Sequence, residues 1–229
     1  MLDLTTRNEG GDSPVLAPWR VYAPQHDTEL LTQALHQEYL PAGAAVLDVG
    51  TGTGALALAA ARRGSRVTAV DITYRAVLAT RLNARLARLP VEVLHGDLFG
   101  PVLGRRFDLV VSNPPYVPTP RAGPRHHRAA VAWDAGVDGR LLLDRICRTA
   151  HTSLRPGGVL LLVQSILCGI APTLAILERS GLAARVTARR LVPFGPVLRS
   201  REAWLRQRGL LDADEEKEDL VIIRAERTR

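Results

Sequence analysis

The chain almost lacks lysine. Lys217 is the only lysine among its 30 basic Lys and Arg residues, and the formal net charge is +7 over 229 residues. Arginine in place of lysine, together with abundant Ala, Leu and Gly, is the composition that a GC-rich coding sequence produces. The basic balance is therefore only weak support for a nucleic-acid partner.

Cysteine and metal-ligand clusters are also scarce. Cys147 and Cys168 are the only cysteines, and they lack CxxC spacing. We therefore expect two buried thiols in a reducing compartment, with neither a disulfide framework nor a zinc site. His126 and His127 have no third ligand at suitable spacing, so we expect no metal.

No apolar run approaches the ~20 residues that a membrane span needs, and the polar start of the chain is unlike a signal peptide. The sequence thus predicts a cytoplasmic protein without membrane contact. Its length suffices for one domain with a substantial core. We expect a flexible tail over 1–20 and a single domain over 21–229. Within that domain, 21–40 should form a lid helix, because Leu30, Leu31, Ala34 and Leu35 make one apolar stripe.

Apolar runs and turn signals alternate regularly after residue 43, which predicts strands alternating with helices. The helix over 75–89 has apolar residues at 78, 82, 86 and 89, and Arg81, Arg85 and Arg88 form a solvated face. The acidic stretch 212–219 reads as a solvated loop. The pattern predicts an α/β fold with a doubly wound, mostly parallel seven-stranded sheet and an antiparallel last strand. Predicted strands cover 44–50, 66–72, 91–97, 107–113, 157–165, 184–192 and 219–226; further helices cover 55–64, 138–154, 170–181 and 199–209.

The first strand ends in a glycine-rich turn, LDVGTGTGALA. Gly50, Gly52 and Gly54 allow the backbone to turn sharply and to approach a ligand at the start of the next helix. A tight turn without any ligand is the plain alternative. Gly50, Gly52 and Ala55 also satisfy the relaxed dinucleotide pattern.

Three carboxylates at successive strand ends narrow the choice of ligand. Asp71 is placed to accept ribose hydroxyls, Asp97 an adenine amino group, and Asp48 a cationic amino group. With no basic residue in the glycine turn, this set disfavours a phosphate-rich ligand. S-adenosylmethionine, a cation that carries ribose and adenine, matches it, although each aspartate alone could also serve a turn or a helix cap.

The fourth strand runs into NPPY, residues 113–116. An amide or ring NH₂ is a poor nucleophile because its lone pair is delocalised, and two acceptors on its hydrogens can make it more tetrahedral. The Asn113 side-chain oxygen and the Pro114 carbonyl could be these acceptors, since Pro115 stiffens the loop. Tyr116 offers a ring to a flat substrate group. This pattern predicts methyl transfer by positioning, without metal or histidine base.

DVGTGTG followed by VVSNPPY resembles class I methyltransferases that act on planar nitrogens, including adenine N6 enzymes and HemK/PrmC-type glutamine enzymes. Residues 21–35 resemble the Y-x-P-x-E-D-T-x-x-L segment of the short, release-factor branch, with His26 in place of Glu. Residues 130–146 resemble that branch's Trp-Gly-Asp/Asn-Gly-Arg segment and make Trp133 a substrate-binding candidate, together with Asn113, Pro114, Pro115 and Tyr116. The resemblance implies cofactor contacts at Thr28, Asp48, Gly50, Asp71, Asp97, Leu98 and Asn113. The predicted cofactor site also includes their neighbours in the glycine turn and after the second strand: Thr51, Gly52, Gly54 and Ile72.

The resemblance implies N5-methylation of a protein glutamine, such as one in a Gly-Gly-Gln motif of a release factor. The basic loop 121–128 favours an adenine N6 methyltransferase on RNA or DNA as the alternative. A small-molecule N-methyltransferase and a catalytically silent cofactor-binding scaffold remain further alternatives. Eukaryotic relatives need a small partner over an apolar sheet edge, which this sequence alone does not reveal.

Overall fold

The computed structural model describes residues 15–18, 21–120 and 135–228. Strands and helices alternate along most of this chain, as the sequence predicts. The strands are β1 (Ala45–Val49), β2 (Arg66–Asp71), β3 (Val91–His95), β4 (Phe107–Ser112), β5 (Leu154–Ser165), β6 (Leu182–Pro193) and β7 (Lys217–Arg227). The helices are α1 (His26–Gln37), α2 (Ala55–Arg62), α3 (Tyr74–Leu86), α4 (Leu141–Thr149), α5 (Ile170–Arg179) and α6 (Pro196–Gln207).

All seven strands form one sheet in the order β3-β2-β1-β4-β5-β7-β6. The pairs from β3 to β5 are parallel, whereas β7 runs antiparallel to both of its neighbours. The predicted fold class is therefore confirmed, including the antiparallel last strand. The order reverses direction between β1 and β4, which is where doubly wound sheets bind their ligands.

The central strands are buried on both faces, which explains their continuous apolar sequence. Val46 and Leu47 in β1 and Leu109 and Val110 in β4 are completely buried. Helix α1 contributes its predicted stripe to the same core, and Leu31 and Leu35 are completely buried. Within the described ranges, no helix is long and apolar enough to cross a membrane.

Helix α3 presents its leucines to solvent. Leu78, Leu82 and Leu86 are 62%, 46% and 63% exposed, and Tyr74 continues their stripe at 62%. The buried face instead carries smaller side chains: Ala76, Val77, Ala79, Thr80, Asn83 and Ala84. The period thus predicted the helix correctly but not which face packs on the sheet. We call the exposed residues 74, 78, 82 and 86 the α3 stripe.

Part of the segment assigned to the N-terminal tail packs against α3. The Leu16 backbone N–H donates to the Asn83 side chain at 2.9 Å, and the Asn83 amide donates back to the Leu16 carbonyl at 2.9 Å. Val15 is buried beside Leu58 and Ala84. Residues 1–14 and 19–20 lie outside the described residues.

The burial of Leu35 and the exposure of Leu78 predict different losses of stability when each leucine is replaced by alanine. Leu35→Ala should lower the free energy of unfolding by about 2–5 kcal/mol, because it removes a fully buried side chain. Leu78→Ala should change it by less than about 0.5 kcal/mol, because Leu78 is 62% exposed. Urea denaturation of both variants checks this, and equal losses would contradict the assignment of the two faces.

Candidate active site

A cavity of about 410 Å³ opens at the carboxyl ends of the central strands. Strand register brings its parts together, because Val49 of β1 is level with both Val70 of β2 and Ser112 of β4. Twelve sequence-predicted site residues line the cavity: Thr28, Gly50, Thr51, Gly52, Asp71, Ile72, Asp97, Leu98, Asn113, Pro114, Pro115 and Tyr116. Trp133 and the 121–128 loop lie outside the described residues.

Gly54 lets the glycine loop connect tightly to α2. It precedes the helix with φ of +86°, and an added Cβ would lie 2.8 Å from the Thr80 side chain of α3. A residue with a side chain would therefore be strained and crowded there. Gly54 thus shapes the loop from the helix side, while Gly50 and Gly52 line the cavity.

Asp71 joins the glycine loop to the end of β2. One carboxylate oxygen accepts the Gly52 N–H at 3.0 Å, and the other accepts the Thr73 N–H and hydroxyl at 2.9 and 3.0 Å. A carboxylate offers roughly four acceptor sites. About one acceptor site therefore remains for a ligand hydroxyl, and the predicted contact of Asp71 with ribose stays a prediction.

Asp48 lies beneath the glycine loop and is completely buried. Its Oδ2 accepts the Thr51 hydroxyl at 2.6 Å and the Ala57 N–H at 3.1 Å, while Oδ1 has no partner among the described residues. Burial raises the pKa of this carboxyl from 3.8 to about 7. Asp48 therefore supports the loop from below, and its contact with a ligand's amino group stays a prediction.

Asp97 stands at the opposite rim with a half-exposed side chain. Its carboxylate pairs with Arg145 of α4 at 2.6 Å, so a ligand amino group would meet an ion pair there. The next residue, Leu98, has φ of +47°, which is uncommon for a residue with a side chain. This strained turn directs the chain after β3 along the cavity wall.

Asn113 is held by the N-terminal segment. Its amide nitrogen donates to the Thr28 hydroxyl oxygen at 3.4 Å, which leaves the side-chain oxygen as the acceptor of the amide group. Ser112, just before it, donates to the Val49 carbonyl at 2.8 Å and fixes the end of β4 beside the glycine loop. The arrangement places an acceptor next to the proposed cofactor site.

Tyr116 lines the cavity and is buried and hydrogen-bonded, while the packing of its ring against a flat substrate group stays a prediction. Its hydroxyl donates to Asp27 Oδ2 at 3.2 Å, and Tyr22 donates to the same oxygen at 2.7 Å. Burial and the Asp27 charge raise the pKa of Tyr116 well above its usual value. Tyr116 therefore remains a neutral donor that fastens the NPPY loop, residues 113–116, to the start of α1.

Gly139, 23 residues after Tyr116, fits closely against this loop. A Cβ on Gly139 would lie 2.1 Å from the Tyr116 carbonyl oxygen, and its φ is +74°. The Cys168 thiol lies 2.9 Å from the same oxygen and donates to it. Burial raises the pKa of Cys168, so the thiol stays protonated. Both predicted buried thiols are confirmed.

Helix α6 and the start of β7 complete the cavity wall, which the sequence did not indicate. Arg201 of α6 donates to the Val117 and Pro118 carbonyls just after the NPPY loop. Glu218 lies in the acidic stretch predicted to be solvated, yet it is only 6% exposed and lines the cavity. The run of charged residues around Glu218 predicts exposure to solvent, whereas the burial of Glu218 depends on contacts with distant segments of the chain.

The family model of the methyltransferase small domain matches residues 23–180. The chain belongs to this family. A release factor glutamine methyltransferase of Deinococcus radiodurans is 38% identical over 213 residues, covering 90% of this chain and 73% of the relative.

Two solved structures are similar in fold and sequence. The E. cuniculi Mtq2–Trm112 complex, which methylates the eRF1 translation termination factor, aligns with a TM-score of 0.64 and 25% identity over 91% of this chain and 99% of the matched one. The T. thermophilus 16S rRNA N2 G1207 methyltransferase RsmC was solved with AdoMet and guanosine. It aligns with a TM-score of 0.58 and 26% identity over 90% of this chain and 44% of its own.

The protein is an S-adenosylmethionine-dependent methyltransferase. Its cavity fits this cofactor, because the volume is within the usual range for small-molecule sites and the wall carries the carboxylates of Asp71 and Asp97. The glycine loop after β1 contains no basic residue that would favour a phosphate.

The buried carboxyl of Asp48 predicts a pH-dependent stability. Because its pKa is raised on folding, the native state binds more protons, and stability should fall as pH rises from about 4 through 7. A change from 3.8 to about 7 corresponds to roughly 4 kcal/mol. Asp48→Asn should therefore have a flatter profile of unfolding free energy in urea between pH 5 and 8. Parallel profiles for the two proteins would contradict it.

Proposed function

We propose that the protein transfers a methyl group to the side-chain amide nitrogen of a glutamine in a protein, such as a translation release factor. The observation that carries the proposal is Asn113, placed at the cavity by β4 and held through its amide nitrogen by Thr28. The names of the Deinococcus radiodurans and E. cuniculi relatives support the same substrate class.

The proposed cofactor site spans the glycine loop and the adjoining strand ends. The ribose would be held at Asp71, which has about one acceptor site to spare, and the adenine between Ile72, Asp97 and Leu98. The carboxylate of Asp48, below the glycine loop, would stabilise the cationic part of the ligand electrostatically. The lid proposed for 21–40 contributes Thr28 and the turn before α1 to the wall.

Catalysis would rest on two acceptors that orient the target nitrogen. The Asn113 side-chain oxygen and the Pro114 carbonyl would accept hydrogen bonds from its two hydrogens, which favours a tetrahedral nitrogen with an available lone pair. Once the nitrogen carries the methyl group, it would release one of these protons to water. Bound S-adenosylmethionine supplies the electrophilic methyl group. Asp27, Gly139 and Arg201 keep the loop in place, so no side chain has to act as a strong base.

An adenine N6 reaction is the second candidate. The similarity to RsmC, solved with guanosine, favours a planar base as an alternative occupant. The basic 121–128 loop would then contact phosphates.

The proposal includes a cytoplasmic location and a small partner protein. The α3 stripe is apolar and exposed, and β3 beside it is the terminal strand of the sheet, paired with β2. An apolar surface that is exposed among the described residues suits a small protein that packs on the helix. The Leu78→Ala variant introduced above should weaken that association while leaving the isolated chain stable. Unchanged association of the variant with a co-purified partner would contradict it.

Two substitutions should separate chemistry from cofactor binding. Asn113→Ala removes one acceptor from the transition state and should slow single-turnover methyl transfer to a Gly-Gly-Gln peptide by about 100- to 1,000-fold. Its affinity for S-adenosylmethionine, measured by calorimetry, should change little. Asp71→Ala is the matched control and should weaken cofactor affinity by about ten- to a hundred-fold.

Asn113→Asp should retain weak activity above that of the alanine variant, because it keeps an acceptor oxygen. Normal turnover by Asn113→Ala would overturn the proposed mechanism. Methylation of an adenine oligonucleotide, and of no peptide, would retain the mechanism but overturn the substrate.

A further inference from the structure

Glu218 lies on the side of the cavity away from the proposed cofactor residues. Along the edge of the sheet, β2 and β1 carry Asp71 and the glycine loop, β4 carries Asn113, and β7 carries Glu218 two strands further on. Neighbouring strands are about 4.8 Å apart, so Glu218 is roughly 10 Å beyond the strand of Asn113. That half of the cavity is where a substrate would extend past the target nitrogen.

The carboxyl of Glu218 has an unused acceptor. The residue is only 6% exposed, and its Oε1 is buried without a hydrogen-bond partner among the described residues. The Ser165 side chain hydrogen-bonds to the carboxyl, so the group is only partly satisfied. Unpaired buried carboxylates are costly, and one at a cavity wall calls for a ligand that donates to it.

Among the described residues, burial, the Ser165 hydrogen bond and the Asp27 charge are what act on the Glu218 carboxyl, and none of these is a cation. Glu218 interacts electrostatically with Asp27 of α1 and with Tyr22 and Tyr116. The negative charge of Asp27 opposes ionisation of the Glu218 carboxyl. Burial is the larger effect and raises the pKa of Glu218 to about 7. A hydrogen-bond donor from a bound substrate would offset both the burial of the Glu218 carboxyl and the effect of the Asp27 charge.

We propose that Glu218 selects a peptide substrate by accepting a backbone N–H next to the target glutamine. This inference rests on the proposed function, and it makes Glu218 the residue that distinguishes a peptide substrate from a nucleic acid. A peptide presents N–H donors beside its side-chain amide. Adenine presents ring-nitrogen acceptors beside its amino group, and its strand carries phosphates, so a buried carboxylate disfavours both.

Glu218→Gln is the test, because it keeps the size of the side chain and removes its charge. We expect KM for a Gly-Gly-Gln peptide to rise about ten-fold, as for the loss of a charge-assisted hydrogen bond, with kcat within about three-fold of wild type. Affinity for S-adenosylmethionine by calorimetry should be unchanged. Activity on an adenine oligonucleotide should not fall. Glu218→Asp, which keeps the charge on a shorter side chain, should give an intermediate KM.

Glu202→Gln is the matched control, since it makes the same change at a partly exposed position of α6. Its KM should equal that of wild type. An unchanged peptide KM in Glu218→Gln, or a parallel loss of cofactor affinity, would overturn the inference while leaving glutamine methylation in place. A wild-type enzyme that labels only the oligonucleotide would overturn both.

Discussion

The buried carboxylate of Asp27 is the interaction on which the active site depends. It accepts hydrogen bonds from the Thr28 N–H and hydroxyl and from the hydroxyls of Tyr22 and Tyr116, which together occupy its roughly four acceptor sites. The residue is 4% exposed, so loss of any donor would leave a buried charge poorly satisfied. One side chain therefore couples the segment before the sheet to the NPPY loop.

This coupling explains why two distant sequence segments belong together. The hydrogen bonds around Asp27 join the two segments because the NPPY loop follows β4. The buried hydroxyl of Tyr116 in turn has an acceptor because Asp27 is present. Hydrogen bonding also fixes which end of the Asn113 amide faces the cavity. The apolar face of α1 contributes the rigidity, since Leu31 and Leu35 anchor the helix in the core.

The order of elements follows from the sequence, and most of the predicted site residues do line the cavity, because both depend on local signals: apolar period, glycine turns and strand-end carboxylates. The missed features depend on packing between distant segments. For α3, leucine spacing reveals a helix, but the sheet accepts the smaller alanine face. The acidic neighbours of Glu218 predict that its side chain is exposed to solvent, whereas the antiparallel pairing of β7 directs this one side chain into the protein. For Asp48, the sequence locates the residue but not the side of the loop on which it lies.

The approach of Gly139 to the Tyr116 carbonyl has a consequence for protein engineering. The NPPY tetrapeptide cannot be transferred to another protein by itself, because the Tyr116 carbonyl occupies the space that a side chain at position 139 would need. Grafting NPPY onto another sheet of the same topology would require transplanting residues 138–140 with it. The recipient would also need a small residue wherever its own chain crosses that carbonyl, and a screen of scaffolds could be ranked by this steric criterion before any catalytic group is designed.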